Sequence, residues 1–277
     1  MALRINTNVQ SIAAQRHLTN NHEAQNRSLE RLSSGQRINR AGDDAAGLAI
    51  SEKLKASIRS LRQASRNASD GISLVQVGEG AMNEISNILM RMRELSIQSS
   101  SDTISDTERG FINKEITGLK EEIDRIANTT EFNGRKLLDG KTGDLDIQIG
   151  LNNNPMEDRF VFKSETLATS LNHLGIADVD NSSKESSQQN LAKLDNALTS
   201  LNERRAELGA LQNRLQSTIN NLGIYTENIE AANSRIRDTD MASETSELMR
   251  SNILTQSTVS VLGQANNNSS MALKLIG

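Results

Sequence analysis

The residues that could do chemistry in this chain are few, and their spacing does not assemble a catalytic or metal site. The chain of 277 residues has three histidines and no cysteine, so it offers no thiol nucleophile, disulfide or cysteine-based metal site. His17 and His22 are five residues apart, which places them on different faces of a helix, and His173 is remote from both in sequence. The sequence motifs of zinc proteases, phosphate-binding loops, serine hydrolases and dinucleotide sites are absent. We therefore predict no enzyme activity, no metal and no cofactor.

Two adjacent carboxylates in the segment GDDAAG, Asp43 and Asp44, are the remaining candidate for a chemical role. Catalysis or metal binding would need further ligands converging on the same point. Arg37 and Arg40 precede the two acids and favour charge pairing instead. We interpret Asp43 and Asp44 as structural residues.

The composition favours a slender helical protein over a thick, spherical core. Only 35% of the residues are hydrophobic and 2% aromatic, and aromatic side chains normally contribute much of the buried area. The single proline, Pro155, permits long helices on both sides. A net charge of -4 without a basic stripe argues against nucleic-acid binding. No stretch of about 18 apolar residues is present, so we predict no membrane insertion, and the first residues lack the apolar core of a cleavable signal peptide.

Heptad patterns predict three long helices. The longest unbroken alternation of three and four residues runs from Leu194 to Ile236, as in a helix that winds around helical neighbours. Ser105 and Glu108 have the spacing of a capping box, which starts another helix near residue 106. Gly71 lies within a third apolar seam and is interpreted as a weak point or a position of close approach. The predicted helices span residues 45–98, 106–128 and 190–237.

Between the second and third of these helices the periodicity changes from that of a helix to that of a strand. Alternating apolar residues that begin at Leu145 predict a half-buried strand. Phe160 and Phe162 alternate in the same way after a turn and predict the returning strand, which gives one β-hairpin over residues 145–163. The polar residues 178–190 predict a linker to the last of the three helices.

The two ends of the chain carry sparse apolar stripes that have no partner inside their own segments. Each stripe must be buried against the other or against a neighbouring molecule. Isolated helices with so little apolar surface are marginal in water. We therefore expect both ends to become ordered only when the protein assembles.

Long runs in this sequence resemble bacterial flagellins. Near the start the runs are INTNVQSIAAQRHL, LERLSSGQRINRAGDDAAGLAIS (29–51) and QASRNASDGISLVQVGEGAMNEI (63–85). They continue with RMRELSIQSSS (91–101), EEIDRIANTTEFNGRKLL (121–138) and SRIRDTDMASETSELMRSNILTQSTVSVLGQAN (234–266). The resemblance implies an extracellular structural subunit, secreted without a cleaved signal peptide, that self-assembles into the helical flagellar filament for swimming motility.

The resemblance also implies a fold, which is mainly α with one β-hairpin. It is a long-helix coiled-coil rod with an inner-core helical pair, residues 1–44 and 238–277, and an outer rod domain of three helices over 45–237. Larger flagellins carry outer domains between the hairpin and the last helix of the rod domain, and this chain is too short there to hold one. The inner-core contacts that we predict from the apolar stripes are Ile5, Val9, Ile12, Leu29, Leu32, Leu248, Val259, Leu262, Leu273 and Ile276.

The run RMRELSIQSSS further resembles the flagellin segment that the vertebrate innate Toll-like flagellin receptor recognises. Arg91 and Leu95 are four residues apart and would share one helix face, with Glu115 opposite them on the next helix. The resemblance makes these three residues a candidate immune-receptor surface. A role in filament contacts would explain the same residues, and the two roles are compatible.

Two alternatives to a filament subunit remain open at this point. A hook–filament junction protein would share both terminal assembly segments but act as a short-range adaptor. A cytoplasmic signalling coiled coil would have folded ends and form a stable dimer, and it would leave the hairpin unexplained. For a filament subunit, the resemblance implies as partners other copies of this chain, the flagellar export apparatus, an export chaperone, and cap and junction proteins.

Overall fold

The computed structural model describes residues 7–274, with side chains described for residues 7–267. Within this part of the chain the protein is mainly helical, as the sequence predicts, with five helices and two small antiparallel sheets. The elements are, in order, α1 (Val9–Ser34), α2 (Ala45–Ser99), α3 (Asp106–Thr129), β1 (Glu131–Phe132), β2 (Arg135–Lys136), β3 (Leu145–Gln148), β4 (Arg159–Phe162), α4 (Lys184–Arg237) and α5 (Met241–Lys274).

The chain divides into two compact units. The terminal unit comprises Met1–Ile58 and Glu227–Gly277, and the central unit comprises Arg59–Thr226. In the terminal unit α1 packs along α5. The predicted domain boundaries, after residue 44 and after residue 237, remain a prediction.

The core of the central unit is built by the heptad positions of α2, α3 and the first half of α4. Val75 and Leu89 of α2, Ile116 and Ile123 of α3, and Leu201 of α4 are all fully buried in one hydrophobic cluster. The predicted seams therefore do point inward here. On α4 the burial fades after Leu215, and later seam positions are only partly covered.

Gly71 lies at a point of close approach inside this core. A methyl group built on its α-carbon would lie 2.8 Å from Cδ1 of Ile147 and 3.4 Å from Cδ1 of Leu215. The missing side chain lets strand β3 pack directly against the backbone of α2. Of the two interpretations offered for Gly71, close approach is the one that the structure supports.

The predicted capping box is present at the start of α3. Ser105 Oγ accepts a hydrogen bond from the Glu108 amide at 3.4 Å, and the Ser105 amide donates to Glu108 Oε2 at 2.8 Å. The Ser105 amide and the Ser105 hydroxyl both donate to the Glu108 carboxylate, which favours its ionised form and lowers the pKa of Glu108. The helix begins at Asp106, where the capping box predicts it.

The prediction that residues 178–190 form a linker is wrong for its second half. Helix α4 already begins at Lys184, six residues before the predicted start. Ser183 precedes it, and its Oγ accepts a hydrogen bond from the Ser186 amide at 3.2 Å, as an N-cap does. Hydrophobic periodicity does not predict this start, because the first turns of α4 are buried through polar residues. Ser187 and Asn190 are both buried and form hydrogen bonds there.

Two hairpins are present where the sequence analysis predicted one. The predicted hairpin is formed by β3 and β4, which pair Leu145 with Phe162, and both of these side chains are buried. The additional hairpin pairs β1 with β2 around Asn133 and Gly134, which have φ angles of 51° and 77°. An Asn-Gly dipeptide is a recognised signal for such a tight turn, so the sequence contained the information that was missed.

Candidate assembly surface of the paired terminal helices

The contact between α1 and α5 is a coiled-coil seam made largely of small and polar side chains. On each helix the buried and half-buried positions follow a spacing of three and four residues, as a coiled coil requires. Positions with this spacing are Ser11, Ala14, Leu18, Asn21, Gln25, Ser28 and Leu32 on α1, and Glu244, Leu248, Ser251, Thr255, Thr258, Leu262 and Ala265 on α5. Four of them are leucines and the rest are alanine or polar residues, so the seam buries little apolar area and the pair gains little stability from its own interface.

A series of hydrogen bonds across the seam sets how the two helices align. Side-chain bonds join Ser11 to Asn266 at 3.1 Å, Asn21 to Thr258 at 3.2 Å and Gln25 to Asn252 at 2.8 Å. Polar residues at seam positions specify register at a cost in stability, because a slipped register would leave them unpaired. The seam therefore favours one alignment of α1 on α5 without making the pair strong.

Several other large apolar side chains of this pair point outward. Val9 is 64% exposed and Val259 is 52% exposed, and Ile12 and Leu29 are also exposed. These four residues are among the contacts predicted from the sequence, and the structure places them on the open surface of the helix pair. Exposed apolar residues of α5 outside the predicted set are Met241, Met249, Ile253, Leu254 and Val261.

The other predicted contacts are divided between the seam and the ends of the chain. Leu32, Leu248 and Leu262 are half-buried and follow the spacing of the seam, so they face the other helix of the pair. Ile5 and Ile276 lie outside the described residues. Leu273 belongs to α5, but its side chain lies outside the described part of the structure.

Asp43 and Asp44 support backbone turns in the segment between α1 and α2. Asp43 Oδ2 accepts hydrogen bonds from the amides of Asn39 at 3.1 Å and Arg40 at 3.0 Å, and these bonds lower the pKa of Asp43. Asp44 Oδ1 accepts a hydrogen bond from the Gly47 amide at 2.8 Å and caps the start of α2. Both carboxylates are thus structural, as predicted.

The predicted charge partners of these two acids are wrong. Arg40 forms its ion pair with Glu30, with Nη2 at 3.0 Å from Oε2. Arg37 Nη2 donates to the backbone oxygen of Ile236 at 2.6 Å. The arginines therefore tie this segment to α1 and to the end of α4, while the two acids accept hydrogen bonds from backbone amides.

In the central unit, Arg91 and Glu115 meet but Leu95 does not join them on the surface. Arg91 Nη2 lies 2.9 Å from Glu115 Oε1, and both side chains are about half exposed. The hydrogen bond to Glu115 raises the pKa of Arg91. Leu95 is only 2% exposed and packs in the core, so the expectation that it shares an accessible face with Arg91 is wrong.

The described part of the chain holds no group of three or more histidine, cysteine or acidic residues that could bind a metal ion. His17, His22 and His173 are exposed side chains, and His173 accepts or donates a hydrogen bond to Ser170 at 2.7 Å. Among the described helices, none is both long and apolar enough to cross a membrane.

Comparison with known proteins identifies the family. The model of the bacterial flagellin N-terminal helical region matches residues 5–142, and that of the C-terminal helical region matches residues 191–276. A flagellin of Halalkalibacterium halodurans is 45% identical over 98% of this chain and 99% of its own length. The chain belongs to the bacterial flagellin family. A flagellin of Bacillus subtilis is 42% identical over 99% of this chain and the whole of that protein.

Solved structures agree with this assignment. The crystal structure of Bacillus cereus flagellin covers 57% of this flagellin and 88% of that chain, with 33% identity and a TM-score of 0.50. A Vibrio parahaemolyticus structure described as a flagellar hook-associated protein shares the fold, with a TM-score of 0.58 over 71% of this chain and all of that one, at 12% identity. The fold alone therefore does not separate filament from hook proteins, whereas the sequence identity does.

Flagellins are structural subunits that assemble with one another into the extracellular flagellar filament, and they are not enzymes. The prediction of a filament subunit without catalytic activity is thereby confirmed. A flagellar filament core protein of Treponema maltophilum is 43% identical over 98% of this chain, which again favours the filament over the junction.

Proposed function

We propose that this flagellin builds a filament for swimming by burying the outward apolar faces of α1 and α5 against other copies of itself. The observation that carries the proposal is the inverted arrangement of the helix pair. Most of its seam positions hold small or polar residues, whereas Val9, Ile12, Leu29 and Val259 lie exposed on its outside. In an isolated soluble helix pair the opposite distribution would be expected.

The energetics make assembly and ordering of the ends depend on each other. Burying apolar surface yields about 25 cal/mol per Å2, while ordering a residue of the backbone costs on the order of 1–2 kcal/mol. A seam in which most side chains are small or polar and only four are leucines offsets little of that cost. Contacts with several neighbours along the open faces supply the missing apolar burial, so growth at an existing filament end is favoured over nucleation.

The remaining partners follow from family membership. Other copies of this chain come first, and the resemblance to flagellins implies an export apparatus, an export chaperone, and cap and junction proteins.

The substitution Val259→Asp tests the assembly surface without disturbing the seam. Val259 is half exposed in the subunit, so the charged variant keeps its helix content, yet the carboxylate would be buried without a partner in the filament. We expect no filaments by electron microscopy after addition of ammonium sulfate, which strengthens apolar burial. The matched control, Val259→Leu, retains an apolar side chain and is expected to polymerise.

Normal filaments of the aspartate variant would refute the assignment of this surface. If even the unmodified protein stays monomeric but forms a complex with hook-associated proteins, the junction alternative is correct. A compact dimer with protease-resistant ends would support a signalling coiled coil.

We also propose that the released subunit is recognised by the vertebrate Toll-like flagellin receptor through the exposed Arg91–Glu115 pair. The structure brings these two matched residues into contact on the surface of the central unit. Receptor-reporter cells measure this role: Arg91→Ala and Glu115→Ala are expected to reduce the response. Arg125→Ala, which removes a similar exposed pair with Glu122 on α3, is expected to leave it unchanged. Equal responses to all three variants would contradict the proposal.

A further inference from the structure

Two methionines stand out on the open face of α5. Met241 is 52% exposed and Met249 is 59% exposed, and they are eight residues apart on one side of the helix. Together with Ile253 and Leu254 they line a shallow groove of about 850 Å3. This groove is part of the surface that the proposed function assigns to contacts with other copies of the chain.

The polar side chains that line the groove already have partners within α5, and among them Arg250 Nη1 lies 3.4 Å from Glu247 Oε2. The hydroxyl of Thr245 already donates to the backbone oxygen of Met241 at 2.6 Å, and that of Ser246 donates to the backbone oxygen of Ala242 at 2.9 Å. A polar group introduced at Met241 or Met249 would stay hydrated in the free subunit. In an assembled interface it would lose this water and find mostly aliphatic neighbours.

We propose that Met241 and Met249 are oxidation sites through which a peroxide prevents this flagellin from assembling. The thioether sulfur attacks the peroxide oxygen, the O–O bond breaks, and the sulfur keeps one oxygen as a sulfoxide. With hydrogen peroxide the other oxygen leaves as water, so the sulfur is oxidised by two electrons and the peroxide is reduced by two. The product is a polar side chain in place of an apolar one.

This inference rests on the proposed function, because it requires that the α5 face be buried in the filament. A polar group left unpaired in the interface weakens assembly. We expect roughly a tenfold higher critical concentration for polymerisation, which corresponds to about 1.4 kcal/mol. Oxidation at both positions would raise it further.

The exposed and buried methionines elsewhere in the chain provide internal references. Met156, in the turn of the β3–β4 hairpin, is 94% exposed and is expected to oxidise readily. Met82 and Met92 are fully buried in the central core and are expected to resist. Peptide mass spectrometry of peroxide-treated monomer therefore reports whether oxidation follows exposure. We expect Met241 and Met249 to be oxidised readily, as Met156 is, and Met82 and Met92 to be oxidised little.

The decisive experiment compares polymerisation of full-length protein before and after peroxide treatment. We expect treated wild type to show at least a tenfold rise in critical concentration. The double variant Met241→Leu with Met249→Leu keeps a similar side-chain volume but cannot form a sulfoxide, and it should polymerise equally well before and after treatment. The control Met90→Leu with Met156→Leu removes two other exposed methionines, and it should lose assembly after peroxide treatment as wild type does. Methionine sulfoxide reductases should restore assembly of treated wild type.

The outcomes separate this inference from the proposed function. If untreated wild type does not polymerise, both the proposed function and the inference that rests on it are refuted. Unchanged polymerisation after complete oxidation of Met241 and Met249 overturns the inference alone. Equal loss in the leucine double variant does the same, because the block then lies at another methionine. If that variant fails to assemble untreated, the reductase result on wild type decides: no recovery after reduction of both sulfoxides overturns the inference.

Discussion

Arg109 offers a sharp test of how the central unit is held together. Its guanidinium is almost fully buried and caps the end of α2: Nε donates to the backbone oxygen of Ser99 at 3.0 Å and Nη2 to that of Ser101 at 2.9 Å. These carbonyls lie past the last intrahelical bonds, where they need partners from outside the helix. The remaining contact, Nη1 to Asp106 at 2.7 Å, is to a side chain that is 91% exposed.

The substitution Arg109→Met removes the donors while retaining an unbranched stem. Ser99 is buried, so its carbonyl would be left without a bond at a cost of about 1–3 kcal/mol. Asp106 regains water, so losing the ion pair adds little. We expect the unfolding free energy to fall by about 2–3 kcal/mol. In Arg109→Lys the ammonium can donate to one of the two carbonyls but lacks the planar set of donors with which the guanidinium reaches both. We therefore expect the unfolding free energy to fall by roughly 1–2 kcal/mol.

Urea unfolding of the monomer, followed by far-ultraviolet circular dichroism, measures these differences. The matched control is Arg125→Met on the same helix, where the arginine pairs with Glu122 and both side chains are largely exposed. We expect less than about 0.5 kcal/mol from that change. If Arg109→Met and Arg125→Met had equal effects, the capping role of Arg109 would be refuted.

Two further predictions concern the turn before α2 and the close contact at Gly71 of that helix. Hydrogen bonds from the amides of Arg40 and Asn39 hold the pKa of Asp43 below its ordinary value of 3.8. The stability that these bonds contribute is therefore present above pH 3.8 and is lost as the pH falls through the lowered pKa. Asp43→Asn should reduce the acid sensitivity of the terminal unit, measured as helix content between pH 5 and 2, and an unchanged profile would contradict it. Gly71→Ala should destabilise the central unit by about 1–3 kcal/mol in urea unfolding, because the added methyl meets Ile147 Cδ1 at 2.8 Å. An unfolding free energy that increases in Gly71→Ala would contradict this prediction and show that strand β3 moves to accommodate the methyl group.

Local sequence patterns determined most of the secondary structure. The heptads predicted α2, α3 and α4 because their inward positions repeat with the period of a coiled coil, as at Leu201 and Ile116. The capping box at Ser105 predicted the first residue of α3, since it depends only on atoms three residues apart. The alternation around Leu145 and Phe162 predicted a hairpin whose two faces differ in burial. The Asn133–Gly134 dipeptide is an equally local signal, and it indicates the turn of the β1–β2 hairpin.

Only the tertiary structure decided which side of each helix is covered. Periodicity shows that residues share a face, but not what covers that face. The sequence therefore groups Leu95 with Arg91, although Leu95 is buried in the same hydrophobic cluster as residues of α3 and α4. The start of α4 at Lys184 was missed for a related reason, because its first turns are buried through hydrogen bonds of Ser187 and Asn190.

The same distinction explains the terminal helices. The sequence determined that the two ends carry apolar stripes without a partner in their own segments, and it identified Val9, Ile12 and Val259 among them. It did not reveal that the two helices meet through small and polar residues such as Gln25, because a polar seam has no hydrophobic signature. Only the pairing of α1 with α5 shows which apolar residues remain open to solvent. Burial is a property of neighbours in space, and a one-dimensional pattern does not contain them.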